Sequence, residues 1–122
     1  MSDNENLKRA SVVLAVDNLQ ATLEWYADKL GFGAKFTWGE PAFFAIVQRD
    51  RVAIHLSERE DTSKPIAPTS LYVFCDDVDA LYEEFHRNEV EIFQPPQDME
   101  YGMREIDVHD MNGHFLTFGQ ER

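Results

Sequence analysis

The 122-residue sequence predicts an α+β fold built from two βαβββ modules, and three observations carry that prediction. The first is a repeat: "SVVLAVDNLQATLEWY" from Ser11 and "SLYVFCDDVDALYEEF" from Ser70 match at an offset of 59 residues. The second is that each copy passes from strand-like alternation to helical spacing across an Asx pair, Asp17-Asn18 or Asp76-Asp77. The third is that three strand-like runs follow each helix.

In the first module the run from Ser11 ends at Asp17-Asn18, residue types whose short polar side chains satisfy the free amides of a helix start. Leu19, Leu23, Tyr26 and Leu30 then give an apolar stripe, which Gly31 or Gly33 ends. Strands are expected over residues 32–38, 43–48 and 52–57, with Gly39-Glu40-Pro41 and Arg49-Asp50-Arg51 as turns. The charged, proline-containing stretch "EREDTSKPIAP" reads as a linker over about 58–69. It leaves modules of about 8–58 and 69–120 within one domain of residues 1–122. In the second module Val78, Leu81, Tyr82 and Phe85 form the helical stripe, and strands are expected over 90–93, 103–109 and 114–119. The last two flank Asp110-Met111-Asn112-Gly113, where Asn-Gly between apolar alternations is a strong hairpin signal because both residues tolerate positive φ.

Composition narrows the function. Cys75 is the single cysteine and forms no internal disulfide, and the polar stretch after Met1 contains no apolar signal-like segment, so a cytoplasmic location is expected. No apolar run approaches the ~20 residues of a membrane-spanning helix, so no membrane partner is expected. A formal net charge of -12 repels a phosphate backbone and speaks against nucleic acid. Residues 1–61 carry 7 basic and 10 acidic side chains, a net of -3, whereas residues 62–122 carry 4 and 13, a net of -9. A cationic small molecule is drawn toward the second half; the bland alternative is that these acids keep the domain soluble. The chain has no Walker-type loop, Rossmann glycine pattern or serine elbow. Cys75 alternates with Leu71 and Val73, as a packed small hydrophobe does, so no catalytic residue is assigned.

The pairs "LEWYADKLGF" and "YGMREIDVHDMNGHFLTFG", within duplicated βαβββ modules, resemble the glyoxalase, bleomycin resistance and dioxygenase superfamily, also called the vicinal oxygen chelate superfamily. The resemblance covers essentially the whole chain, and the pattern "LGF…FAIVQRDRVAIHLS…YVFCDDVDALYEEF…YGMREIDVHDMNGHFLTFG" looks most like the bleomycin resistance proteins. It implies that the modules form a curved mixed sheet around a cleft, and that two chains associate as a homodimer with clefts at their interface. It also implies where metal-dependent members hold their ion: the four ligand positions fall on Ser11, His55, Ser70 and Thr117. Only His55 among them is a good ligand for a divalent ion, so neither a metal nor a cofactor is expected.

Alternation places Ser11, His55, Ser70 and Thr117 on one sheet face with Val13, Ala53, Tyr72, Phe74 and Phe115, and that face should line the cleft. Val12, Leu14, Ile54, Leu71, Val73, Leu116 and Phe118 take the other face and suit packing under helices. After the first helix, Phe32, Ala34, Phe36 and Trp38 share one side, where their rings either complete a core or form a stacking wall. Trp38 at a strand end and Tyr101 before Gly102 are rim positions. His55 either hydrogen-bonds a ligand or satisfies a neighbour such as Ser57 or Ser11. His109 and His114 are expected as solvated residues at the edge of the turn, and His86 as a surface residue at a helix end. The face taken by Glu105 and Asp107 stays open, because one bulge would move both.

The function expected is therefore non-catalytic binding of a cationic, aromatic small molecule in an acidic, aromatic cleft, as in a drug-sequestering resistance protein. The candidate binding residues are Phe32, Phe36, Trp38, His55, Tyr72, Phe74, Tyr101, Phe115 and Thr117. Two alternatives stand beside it: a glyoxalase-like metal-dependent lyase or isomerase using His55 with partners such as Glu105, and a small-ligand sensor.

Overall fold

Alternation in "VLAV" buries Leu14 and Val16 and turns Val13 and Ala15 the other way, so Val13–Val16 opens the fold as strand β1 in a computed structural model that describes residues 4–122. The Asn18 side chain accepts the Ala21 amide at 2.9 Å and caps helix α1, Leu19–Trp25. A π-helical turn, Tyr26–Leu30, prolongs it to Gly31, whose φ of 73° ends the helix in a conformation that glycine adopts without steric cost. Three strands follow, β2 (Gly33–Gly39), β3 (Ala42–Arg49) and β4 (Val52–Glu58), and the sheet order is β1-β4-β3-β2 with β1 parallel to β4.

Residues 59–69 lead to the second module, which repeats the plan. β5 (Ser70–Phe74) precedes α2 (Val78–Arg87), capped by the Asp77 side chain accepting the Ala80 amide at 3.0 Å. β6 (Ile92–Asp98), β7 (Met103–His109) and β8 (Phe115–Glu121) complete a sheet of order β5-β8-β7-β6. The expected α+β class and the two βαβββ modules are what the chain adopts, with the strands divided into two four-stranded sheets, one per module. β6 runs further than the short strand expected and takes in Pro95 and Pro96. It lies at a sheet edge and its register shifts between Gln94 and Gln97, so the missing proline amides break no regular ladder.

The two modules share one core. Leu14, Val16, Ala45, Val47, Ile54 and Leu56 from the first sheet, and Val73, Ile106, Val108, Leu116 and Phe118 from the second, join Leu19, Leu30, Val78 and Phe85 in a single buried cluster. Each sheet thus puts its helix-covered face inward, and the opposite faces, which carry Val13, Phe36, Trp38, Tyr72, Phe74, Phe93 and Phe115, are open to solvent.

Polar ties cross between the modules. Lys29 Nζ donates to the Asn88 carbonyl at 2.8 Å and Asn88 Nδ2 donates back to the Lys29 carbonyl at 3.1 Å, across a separation of 59 residues. That separation equals the repeat offset, so equivalent residues meet reciprocally, as they do on a two-fold axis. Arg49 holds Glu84 through both guanidinium nitrogens at 2.8 Å and also donates to the Leu30 carbonyl. Asp110 is buried: Oδ2 accepts the Tyr26 hydroxyl at 2.6 Å, and Oδ1 accepts the amides of Asn112 and His114 at 2.9 Å.

His114 corrects the expectation of a solvated turn residue, because it is fully buried. Its Nδ1 accepts the Thr69 amide at 2.9 Å, so the proton sits on Nε2, which donates to the Ala15 carbonyl at 2.8 Å. The ring thereby fastens the β7–β8 turn to both the linker and β1. Burial and the adjoining Asp110 carboxylate keep the Tyr26 phenol protonated far above its usual range. Tyr26→Phe leaves a buried carboxylate oxygen without its donor, and we expect a loss of about 1–3 kcal/mol in stability by urea denaturation with the fold retained.

Candidate functional site: two outward aromatic faces

The outward face of the first sheet is built by register. Val13 and Ile46 flank His55 on neighbouring strands, Phe36 pairs with Ile46, and Trp38 pairs with Phe44. The rings form a ladder: Trp38 stacks on Phe36 at 6.5 Å, Phe36 meets Phe44 edge-on at 6.5 Å, and Phe44 meets His55 edge-on at 5.6 Å. Trp38 is 61% exposed at the strand end, as a rim residue should be. The His55 ring takes no hydrogen bond among the described residues, so of its two readings the one that has it satisfy Ser57 or Ser11 is not what forms, and the ring packs on Phe44.

Phe32 is a correction. It is only 2% exposed, packs edge-on against Tyr26 at 6.3 Å and belongs to the core. The cause is a bulge at Lys35: Ala34 pairs with core-facing Val47, whereas Phe36 pairs with outward-facing Ile46. One extra residue reverses the alternation, which places Phe36 and Trp38 on the opposite face from Phe32 and Ala34.

The outward face of the second sheet carries Tyr72, Phe74, Phe115 and Thr117 as expected, with Tyr101 beside them. It also carries residues that strand alternation had left unassigned. Glu105 pairs with Gly119 and Asp107 with Thr117, which settles the face of both carboxylates. Glu105 Oε2 accepts the hydroxyls of Tyr72 and Tyr101, each at 2.8 Å, and Asp107 Oδ1 accepts the Thr117 hydroxyl at 2.6 Å. His109, expected in solvent, lies between two rings, stacked on Phe93 at 4.0 Å and edge-on to Phe115 at 4.4 Å. Sequence reasoning singled out neither Phe93, at the end of the strand expected over 90–93, nor Phe44, in the strand expected over 43–48, although its even spacing from Ile46 places it on the same face.

Gly119 makes the Tyr72 contact possible. A Cβ at this position would overlap the Tyr72 hydroxyl, so only glycine lets the ring lie across β8 and reach Glu105. Burial, then the hydrogen bond to Glu105, pushes the Tyr72 phenol up; for Tyr101 the hydrogen bond to Glu105 is the leading cause of the rise. Both hydroxyls therefore act as donors.

The candidate residues are not all brought together in one chain. Phe36, Trp38 and His55 lie on one outward face, and Tyr72, Phe74, Tyr101, Phe115 and Thr117 on another. A cavity of about 520 Å³ lies elsewhere, at the module junction between the β3–β4 turn and the start of α2, and takes in Phe32, Phe74 and Cys75. Burial and the nearby Asp76 push the Cys75 thiol up, which disfavours the nucleophilic thiolate. The residues at the superfamily's ligand positions do not fit a metal: three are hydroxyls, and the Thr117 hydroxyl is committed to Asp107. Among the described residues no three His, Cys, Asp or Glu side chains converge as a metal-binding group.

Because the folded phenols titrate above free tyrosine, the contribution of the Tyr72 and Tyr101 bonds to stability is intact below about pH 10 and is lost as pH rises through the folded values. In a spectrophotometric titration at alkaline pH, Glu105→Gln should bring both phenols down, with Tyr101 moving further toward the ordinary value than Tyr72, which burial still holds up.

The family model for the Glyoxalase/Bleomycin resistance protein/Dioxygenase superfamily matches residues 8–118. No sequence among curated proteins matches the chain. Among solved structures, the fold is similar to the bleomycin-binding protein from bleomycin-producing Streptomyces verticillus in complex with copper(II)-bleomycin, at 26% identity and a TM-score of 0.76 over 97% of this chain and 99% of that one. It is similar to the bleomycin resistance determinant encoded on the transposon Tn5, at 20% identity and a TM-score of 0.82 over 95% and 99%. TioX from Micromonospora sp. ML1 gives 19% identity and a TM-score of 0.82 over 94% and 99%. With a family model that spans nearly its whole length, this chain belongs to the glyoxalase, bleomycin resistance and dioxygenase superfamily.

Proposed function

We propose that the protein binds and sequesters a flat, cationic, aromatic small molecule without transforming it. The observation that carries this reading is the make-up of the two outward faces: a ladder of Trp38, Phe36, Phe44 and His55 on one, and aromatic rings around Glu105 and Asp107 on the other. Stacking on exposed rings supplies affinity, and carboxylates attract the cation and speed its capture. No lysine or arginine among the described residues pairs with Glu105 or Asp107, so their charge is available to a ligand. A metal-dependent lyase or isomerase reading lacks its donor set, since hydroxyls stand at three of the four ligand positions.

Each face alone is open and shallow, whereas a drug-sized ligand needs most of its surface covered. A homodimer that sets the first face of one protomer against the second face of its partner supplies both walls of a cleft. Similarity to proteins that bind bleomycin supports a ligand of that type. Titration calorimetry with metal-free and copper-loaded bleomycin is the direct test. Saturable binding at or below about 1 µM is expected. Trp38→Ala should weaken it at least about tenfold and His55→Ala less. Absence of both heat and any change in tryptophan fluorescence would sink bleomycin as the ligand. Sedimentation at twice the 14.1 kDa chain mass checks the dimer.

A further inference from the structure

Glu105 is 4% exposed, and both hydroxyls that reach it, those of Tyr72 and Tyr101, donate to the same oxygen, Oε2. Oε1 receives no hydrogen bond among the described residues. Nor is it one of the sealed side-chain polar atoms without a partner, which among the described residues are Gln48 Oε1 and Gln94 Nε2. Among the described residues no lysine, arginine or histidine forms an ion pair with Glu105. Taking a carboxylate out of water without an opposite charge is costly, and here the fold also gives up a side chain at Gly119 to seat the clamp. A purely structural acceptor for two hydroxyls would need neither a charge nor an open second oxygen.

We propose that Glu105, clamped by Tyr72 and Tyr101 over Gly119, is the receptor for an ammonium or guanidinium group on the ligand, and decides between charged and uncharged aromatic molecules. This deepens the binding function proposed above and rests on it. The two O–H donors fix the carboxylate in one orientation before any ligand arrives, and they leave Oε1 to take the N–H of a cation. Asp107, two residues along the strand and on the same face, adds a second negative charge whose Oδ2 takes no hydrogen bond among the described residues. The group accepted is an organic cation: nothing near Glu105 completes a set of metal ligands among the described residues. The opposite face contributes ring surface and no carboxylate from β2, β3 or β4 in its aromatic ladder, so charge discrimination falls to the second module.

The test uses N-(3-aminopropyl)-1,8-naphthalimide, whose tail is an ammonium, its N-acetylated neutral counterpart, and n-butylammonium alone. Wild-type protein should bind the ammonium naphthalimide at least about tenfold more tightly than the acetylated one, and Glu105→Gln should collapse that ratio toward one. Glu105→Gln removes one of 23 acidic side chains, so the global attraction of the chain for cations hardly changes and the collapse reports the local contact. n-Butylammonium should give a saturable shift of the Gly119 amide and the Tyr101 ring signals by NMR, and Glu105→Gln should abolish it. Should Glu105→Gln fail to fold, Tyr101→Phe, at a residue 64% exposed, makes the same comparison and should lower the ratio. Equal affinities for the two naphthalimides, a ratio unchanged by the substitutions, or no shift with n-butylammonium overturns the proposal. If n-butylammonium binds and neither naphthalimide does, the cation receptor stands and it is the aromatic-ligand reading that falls.

Discussion

The Asp110 carboxylate, buried at the tip of the β7–β8 turn, takes the Tyr26 hydroxyl from the first module's helix and two amides from its own turn. Removing any of these donors would strand charge in the interior, so the turn has one stable position. That position carries His114 into the core, where its two ring nitrogens reach the linker and β1. The two modules are thereby locked with their helix-covered faces together. Everything exposed on the far side of each sheet, aromatic rings and carboxylates alike, is a consequence of that inward packing.

Two constraints of different reach explain what was legible in the sequence. Local ones read well: the Asx pairs cap both helices, Asn-Gly makes the hairpin turn, and alternation in β1, β4, β5 and β8 sorts inward from outward residues. The repeat exposed the duplicated plan because each module solves the same burial problem with the same pattern. What failed were features decided by a single residue or by tertiary contact. The bulge at Lys35 reverses the face of Phe36 and Trp38 relative to Phe32, and no periodicity announces a bulge. His114 looked polar and turn-adjacent, hence solvated; its burial depends on Ala15 and Thr69, which lie far away in sequence. Glu105 was ambiguous for the same reason, and its tyrosine partners were visible only as isolated aromatics.

The duplication has not left two equivalent faces. At the pseudo-two-fold contact Lys29 and Asn88 still meet reciprocally, yet the outward surfaces have diverged in chemistry. One is a run of rings with a single imidazole; the other sets rings around two carboxylates. A duplicated scaffold thus presents two unlike outward faces from one chain, on either side of a shared core.

One edge strand of each sheet, β2 in the first and β6 in the second, bears on a separate hazard, that of uncontrolled assembly. An edge strand offers free amides and carbonyls to any passing chain, and aromatic faces beside it would reinforce a mispaired stack. β2 is kinked by its bulge and carries the charge of Lys35, while β6 replaces two amide donors with Pro95 and Pro96. Both interruptions remove, on their own edges, the straight, fully hydrogen-bonding strand that fibril-like addition requires. At β2 and β6 the backbone beside the exposed rings is therefore a poor template for a further strand.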